Sequence, residues 1–191
     1  DHVLASEEDI NILVLDTEVY SNTGGQSSKS SQTGSIAKFT ASGKTGAKKN
    51  LALMAMSYGH VYVAQIALGA NSMKAIQAMK EAEAHKGPSL IICYAPCVNH
   101  GIKGGLSNSF KTEKAACEAG YFIPFRYNPE KDIPLEFDMQ APDFGKFREF
   151  VMRETRFSQL PVVNPEHAEE LLLKSAEHAR RRYERIKKFG L

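Results

Sequence analysis

The residues best suited to chemistry stand together in one stretch, Asp16-Thr17-Glu18-Val19-Tyr20-Ser21-Asn22-Thr23-Gly24-Gly25-Gln26. It offers hydroxyl, amide and backbone oxygens, followed by glycines that let a backbone come close to a ligand. Magnesium takes six hard oxygens at about 2.0–2.1 Å and shares them among a few protein groups, water and the phosphates of its partner. The stretch therefore suits a magnesium diphosphate. On composition alone it reads equally as a flexible polar loop, because Asn-Thr-Gly-Gly is also an ordinary turn.

Cys97 is the second candidate. It follows Pro96 and precedes Gly101, Gly104 and Gly105, a setting in which backbone amides can approach cluster sulfurs. A [4Fe–4S] cluster needs four protein ligands, which this chain cannot supply. Cys93 falls on a predicted strand and Cys117 in a predicted helix beside Ala115, Ala116 and Ala119, so both read as small buried hydrophobes. Three cysteines are too few for a disulfide framework, which points to a reducing, cytoplasmic setting.

Other signals carry less. Ser42-Gly43-Lys44-Thr45 ends like a phosphate-binding loop, but Lys38 stands where that motif needs glycine. His60, His100 and His178 have no partners at metal spacing. The run Arg180-Arg181-Arg182, with Arg185, Lys187 and Lys188, reads as a solvated helix end, because Glu170, Glu177 and Glu184 each precede a cation by four residues.

These candidates need a frame to hold them. Residues 10–16 form an apolar run with little alternation, the pattern of a strand buried on both faces of a parallel sheet. The polar stretch at 17–34 argues against regular structure. A short helix is expected at 50–58, closed by Gly59. A strand at 61–66 leads to a helix capped by Asn71 or Ser72, in which Met73, Ile76 and Met79 recur every three positions before Gly87-Pro88 stops it. A third strand at 89–94, a Gly-rich loop at 95–105, a helix at 109–119 and a fourth strand at 121–127 complete the alternation. The fold class is α/β: a mostly parallel sheet with helices on both faces, plus a helical C-terminal appendage. In such sheets ligands bind at the carboxyl ends of the strands, so the loops beginning at Thr17 and Ala95 should build the site.

Residues 1–128 are read as an α/β domain and 129–191 as an irregular segment with helices packing on it. That segment carries a helix at 144–154 capped by Asp143. A terminal helix follows, with Asn164 as cap, Pro165 in its first turn, and Ala168, Leu172, Ala179, Tyr183 and Ile186 on one face. The net charge of +2 does not announce a nucleic acid. No apolar run approaches the ~20 residues a membrane span needs, so no membrane association is expected.

The wording of 16–26 resembles the second half of the thiamine-diphosphate motif of pyruvate:ferredoxin (flavodoxin) oxidoreductases of the large single-chain type. Split two-subunit relatives share the Thr-Gly-Gly-Gln part but usually have Tyr-Gly where this chain has Tyr20-Ser21. The likeness continues in order through Gly43-Lys44, Met54-Ala55-Met56-Ser57-Tyr58-Gly59, Gly87-Pro88-Ser89-Leu90, Tyr94-Ala95-Pro96-Cys97-Val98-Asn99-His100-Gly101 and Phe125-Arg126-Tyr127, covering almost the whole chain.

The resemblance implies a thiamine-diphosphate-binding fold, with 1–128 the C-terminal part of that domain. It implies that the Thr17 hydroxyl and the Val19 carbonyl hold Mg2+, and that Thr17, Glu18, Val19, Tyr20, Ser21 and Asn22 line the cofactor. The Asn22 amide would reach the reacting end as the catalytic group, and Cys97 would give a thiolate to the [4Fe–4S] cluster nearest the thiamine. The implied reaction decarboxylates pyruvate, forms acetyl-CoA from coenzyme A and passes electrons through iron–sulfur clusters to ferredoxin or flavodoxin in a homodimeric parent. The family's Gly-Asp-Gly motif, its aminopyrimidine-activating glutamate, the other cluster cysteines and the ferredoxin-like and coenzyme A domains are missing. With Asp1 in place of an initiator methionine, the chain is expected to be a piece of a longer polypeptide, inactive alone. A non-catalytic remnant or assembly domain, or another thiamine enzyme in which Cys97 has no purpose, are the alternatives.

Overall fold

Parallel strands need crossovers, and the sequence supplies them as helices between short apolar runs. A computed structural model describes residues 1–189; residues 190 and 191, the end of the 129–191 segment, lie outside the described residues. The first strand, β1 (Asn11–Asp16), opens into a small antiparallel ribbon of β2 (Val19–Tyr20) and β3 (Gln26–Ser27), so the 17–34 stretch holds more regular structure than expected. Helix α1 (Leu51–Met56) follows, its N-terminus capped by the Asn50 side chain, which accepts from Leu53 N at 3.0 Å. Then come β4 (Tyr62–Ile66), α2 (Ser72–Ala84), β5 (Ser89–Tyr94) and α3 (Ser109–Glu118). Asn71 is the α2 cap, accepting from Lys74 N at 3.1 Å.

The main sheet runs β1-β5-β4-β6-β7, with β6 at Phe125–Tyr127 and β7 at Leu135–Phe137. The first three strands are parallel, in the register Asn11–Ser89–Tyr62. β6 departs from the expected fourth strand: it is shorter and lies antiparallel to β4. The reason is where α3 sits. Its Glu113 accepts from Gly69 N at 2.7 Å beyond the carboxyl end of β4, and Gly69 has backbone of Phe110 so close that an added Cβ would lie 2.2 Å from the Phe110 carbonyl oxygen. The chain therefore never returns to the amino end, and it enters β6 with Phe125 opposite Gln65. β1 also departs from expectation. It is an edge strand with Leu13 51% and Leu15 63% exposed, so only one face is covered.

On α2 the small side chains Ala75, Ala78 and Ala82 face the sheet against Tyr62, Ile66 and Ile91. Met73, Ile76 and Met79 face outward. A bulky sheet surface admits a helix closely only through its alanines.

The C-terminal segment contains α4 (Phe147–Val151), preceded by a turn of 3-10 helix that the Asp143 side chain caps by accepting from Gly145 N at 2.9 Å. It continues through α5 (Thr155–Ser158), α6 (Leu160–Val163) and α7 (Ala168–Lys188). Phe147, Phe150, Phe157 and Leu160 share one core with Tyr94, Tyr121 and Phe122. α7 starts later than Asn164-Pro165 suggests. The Asn164 carbonyl accepts from Ala168 N at 2.9 Å, while its side chain donates to Ser42 O at 2.9 Å, so this pair forms the turn before the helix. Ala168, Leu172 and Ala179 fill that shared core, and Ile186 with Tyr183 reaches a second cluster around Val61 and Phe125.

Because α2 meets the sheet through alanine, Ala78→Leu should overpack that contact and cost about 1–3 kcal/mol. Met73→Lys should stay within about 0.5 kcal/mol. Urea denaturation of the two variants checks the assignment, and the reverse ranking would mean that α2 is turned the other way.

Candidate functional site

The register of β1 on β5 sets Asp16 beside Tyr94, so the two expected loops leave the sheet next to each other, with Ala95 N donating to Asp16 O at 3.2 Å. Immediately after β1 the chain makes a three-residue turn in which Val19 N donates to Thr17 O at 2.7 Å. At its centre Glu18 takes φ +59°, uncommon for a residue with a side chain. The turn brings Thr17 Oγ1 to 3.0 Å from Val19 O, to which it donates.

What holds Glu18 there is a buried polar network. Its carboxylate accepts from Tyr121 OH at 2.6 Å and from Arg156 Nη2 at 2.7 Å, and Lys48 Nζ stands 3.2 Å away. Its carbonyl accepts from Ser28 Oγ at 2.9 Å and Ser31 Oγ at 2.5 Å. Burial works to raise the Glu18 carboxyl, but Lys48 and Arg156 outweigh it and hold the group well below the usual carboxylate range. Arg156 also donates to Glu154 at 2.7 Å, and Lys48 to Asp16 at 2.6 Å.

Beside this turn lies a cavity of about 350 Å³, lined by Thr17, Val19, Tyr20, Lys48, Gln65 and Arg182 among others. Of the predicted residues, Thr17, Glu18, Val19 and Tyr20 reach its wall. Ser21 and Asn22 stand in a 3-10 turn beyond it, with Asn22 exposed. Arg182 corrects the view of a wholly solvated helix end: it turns inward and donates to Tyr121 O at 2.7 Å, while Arg180 stacks on Phe144. Sequence reasoning did not single out Lys48, Tyr121 or Arg156. Each lies far along the chain from Glu18, and no local pattern marks it. Lys44 donates to the carbonyls of Ser28 and Ser31 at 3.0 and 2.7 Å, so it braces the serine-rich loop.

The second loop carries Cys97, buried, whose Sγ accepts from Asn99 N and Asn99 Nδ2, both at 3.5 Å. His100 lies fully buried beneath it, with Nε2 2.9 Å from Thr17 O and Nδ1 3.4 Å from Cys97 N. Burial, with Arg156 nearby, pushes this imidazole down to about 3, so it is neutral at ordinary pH. Cys93 and Cys117 sit in the core, where burial pushes the Cys93 thiol up to about 11 and Cys117 higher still. Among the described residues no three His, Cys, Asp or Glu side chains converge as a metal cage, and no helix is long and apolar enough to cross a membrane.

Residues 1–93 match the family described as thiamine pyrophosphate enzyme, C-terminal TPP binding domain. The whole chain is 50% identical over 194 aligned residues to a pyruvate-flavodoxin oxidoreductase of Klebsiella pneumoniae. It is 52% identical over 194 aligned residues to a pyruvate:ferredoxin oxidoreductase of Moorella thermoacetica. Over its whole length the chain is similar to pyruvate:ferredoxin (flavodoxin) oxidoreductases. It spans 16% of the length of each of these two relatives, so it corresponds to one segment of such an oxidoreductase. A solved 2-oxoglutarate:ferredoxin oxidoreductase of Magnetococcus marinus shares the fold, with a TM-score of 0.51 at 18% identity over 85% of this chain and 60% of the other.

Removing one partner of a buried ion pair strands the other charge, at a cost of about 3–5 kcal/mol. Arg156→Met should lose that much stability in denaturant titrations, whereas Arg148→Ala, which breaks the exposed pair with Glu169, should lose under about 1 kcal/mol. The pH dependence has a definite sign. The unfolded Glu18 value is 4.5 and the folded one lower, so this contribution is complete above that pH and is lost as pH falls through the folded value. In Arg156→Met the stranded carboxyl takes up a proton, and the deficit should shrink on acidification. A deficit constant with pH would mean that Glu18 is not the charge Arg156 compensates.

Proposed function

We propose that this chain forms one wall of a site at which pyruvate is decarboxylated and oxidised with Mg2+ and thiamine diphosphate, as part of a 2-oxoacid oxidoreductase. One observation carries the reading: Thr17 Oγ1 and Val19 O lie 3.0 Å apart at the carboxyl end of β1, in a turn that buried charges hold. Adjacent ligands on an octahedral magnesium at 2.0–2.1 Å stand about 2.9 Å from each other. The two oxygens therefore fit neighbouring corners of one ion once the Thr17 hydroxyl hydrogen turns away from Val19. The remaining ligands are the diphosphate, water and groups outside this chain.

When bound, thiamine diphosphate supplies the carbanion chemistry of 2-oxoacid decarboxylation. The protein's share is placement. Thr17 to Asn22 line the cofactor, and the Asn22 amide hydrogen-bonds the 2-oxoacid at the reacting end. Cys97 gives one thiolate to a [4Fe–4S] cluster, a role its sulfur suits because two N–H groups of Asn99 already point at it. The cluster's other ligands come from elsewhere, since Cys93 and Cys117 are core residues. In this reading coenzyme A takes the acyl group, ferredoxin or flavodoxin takes the electrons, and the complete enzyme is a cytoplasmic homodimer. Residues 1–128 form the C-terminal part of the thiamine-diphosphate domain, and 129–191 brace it. The similarity supports this assignment, because close relatives are oxidoreductases of pyruvate by name.

Two measurements test the reading. In this reading the motif supplies two ligand oxygens, from Thr17 and Val19, so calorimetric titration of the isolated chain with thiamine diphosphate in excess magnesium should show no saturable micromolar binding, which would amount to about 8 kcal/mol. In the complete polypeptide that carries this chain, Thr17→Val keeps the β-branched shape and removes the ligand oxygen. Cofactor affinity should fall about tenfold and partly recover at high magnesium. Unchanged affinity would take Thr17 out of the site.

A further inference from the structure

His100 is used by none of the chemistry above, yet it lies fully buried between the two loops that build the site. Its Nδ1 is 3.4 Å from the Cys97 amide, which can only donate, and its Nε2 is 2.9 Å from the Thr17 carbonyl, which can only accept. A single neutral tautomer, with the proton on Nε2, satisfies both ends at once. The Thr17 carbonyl is also the atom that closes the three-residue turn by accepting from Val19 N at 2.7 Å. Fixing this carbonyl therefore fixes the turn that sets Thr17 Oγ1 against Val19 O. A second contact joins the same loops: a Cβ at Gly25 would lie 2.8 Å from Asn99 Oδ1.

We propose that His100 is a positioning residue that couples the two cofactor loops, relaying the placement of the Cys97 amide to the Thr17 carbonyl through one imidazole. The proposal rests on the reading that Thr17 holds magnesium and Cys97 ligates a cluster. Its consequence is that occupancy of the thiamine site and the geometry around the cluster thiolate are linked through His100.

Two substitutions in the complete polypeptide separate the two ends. His100→Asn keeps an acceptor near the former Nδ1 position but loses the donor to Thr17. His100→Gln extends an amide N–H towards Thr17 and leaves the Cys97 amide without its acceptor. Calorimetry with thiamine diphosphate and magnesium should show about tenfold weaker binding for His100→Asn and a change within about threefold for His100→Gln. Electron paramagnetic resonance of the reduced protein without cofactor should be unchanged in His100→Asn and altered in His100→Gln. Adding cofactor should alter the line shape in the unsubstituted protein and in neither variant. Equal loss in both variants, through misfolding or otherwise, would overturn the proposal, because a packing role moves both alike. So would a retained line-shape response to cofactor in both. The underlying reading has its own failure: full cofactor affinity in Thr17→Val together with a full cluster complement in Cys97→Ser would remove it, and the coupling with it.

Discussion

A carboxylate cannot be withdrawn from water without a partner, and Glu18 is withdrawn almost completely. The ion pair it makes with Arg156, 138 residues away in sequence, is the constraint on which the rest of the site depends. It holds a non-glycine residue in the left-handed region, and that choice at one residue decides where Thr17 and Val19 present their oxygens. Buried ion pairs often add little net stability compared with an apolar replacement, because desolvation consumes most of the attraction. Their value here is geometric. The pair over-determines a turn that the local sequence would not adopt by propensity.

The same constraint explains why the C-terminal segment is folded against the sheet. Arg156 must arrive with Glu154 beside it, at the start of α5, and α5 is anchored by Phe157 and by Thr155 N donating to Gly101 O at 2.9 Å. The aromatic core of Tyr121, Phe147, Phe150 and Phe157 surrounds the charges and keeps water away from them. Tyr121 serves both purposes, packing with its ring and donating with its hydroxyl. Low local polarity strengthens each of these bonds, and it also makes each of them expensive to break.

Much of this was legible in the sequence, and the limits have physical causes. The strands at 62–66 and 89–94 and their helices were readable because apolar runs and caps are local signals; Asn71, one of the two expected caps, is the one that caps α2. The β6 direction was not readable, since it depends on α3 lying across the end of the sheet through the Gly69 contact, a tertiary fact. The exposed face of β1 misled for a related reason: hydrophobic pattern says which residues are apolar, not which neighbour covers them. Within the candidate site, the 16–26 stretch stood out through its resemblance to a family motif, since on composition alone it read equally as a flexible polar loop. Lys48, Tyr121, Arg156 and Arg182 were not legible, because a lone cation or tyrosine in a helix or loop carries no mark of the carboxylate it will meet.

A final consequence concerns how the proposed magnesium corner gains its affinity. A flexible Asp-Thr-Glu-Val-Tyr loop would have to be ordered when the ion arrives, at roughly 1–2 kcal/mol for each residue fixed. In this chain the ordering cost is met during folding: Glu18 is held through its side chain by Arg156 and Tyr121, and through its carbonyl by Ser28 and Ser31. Two oxygens in a prearranged pair remain a weak site by themselves, since four further ligands are needed. Their contribution is to make those ligands, wherever they come from, bind an ion whose position is already decided. Preorganisation of this kind places the demand for precision on the buried network, where a lost hydrogen bond would be felt as a misplaced oxygen.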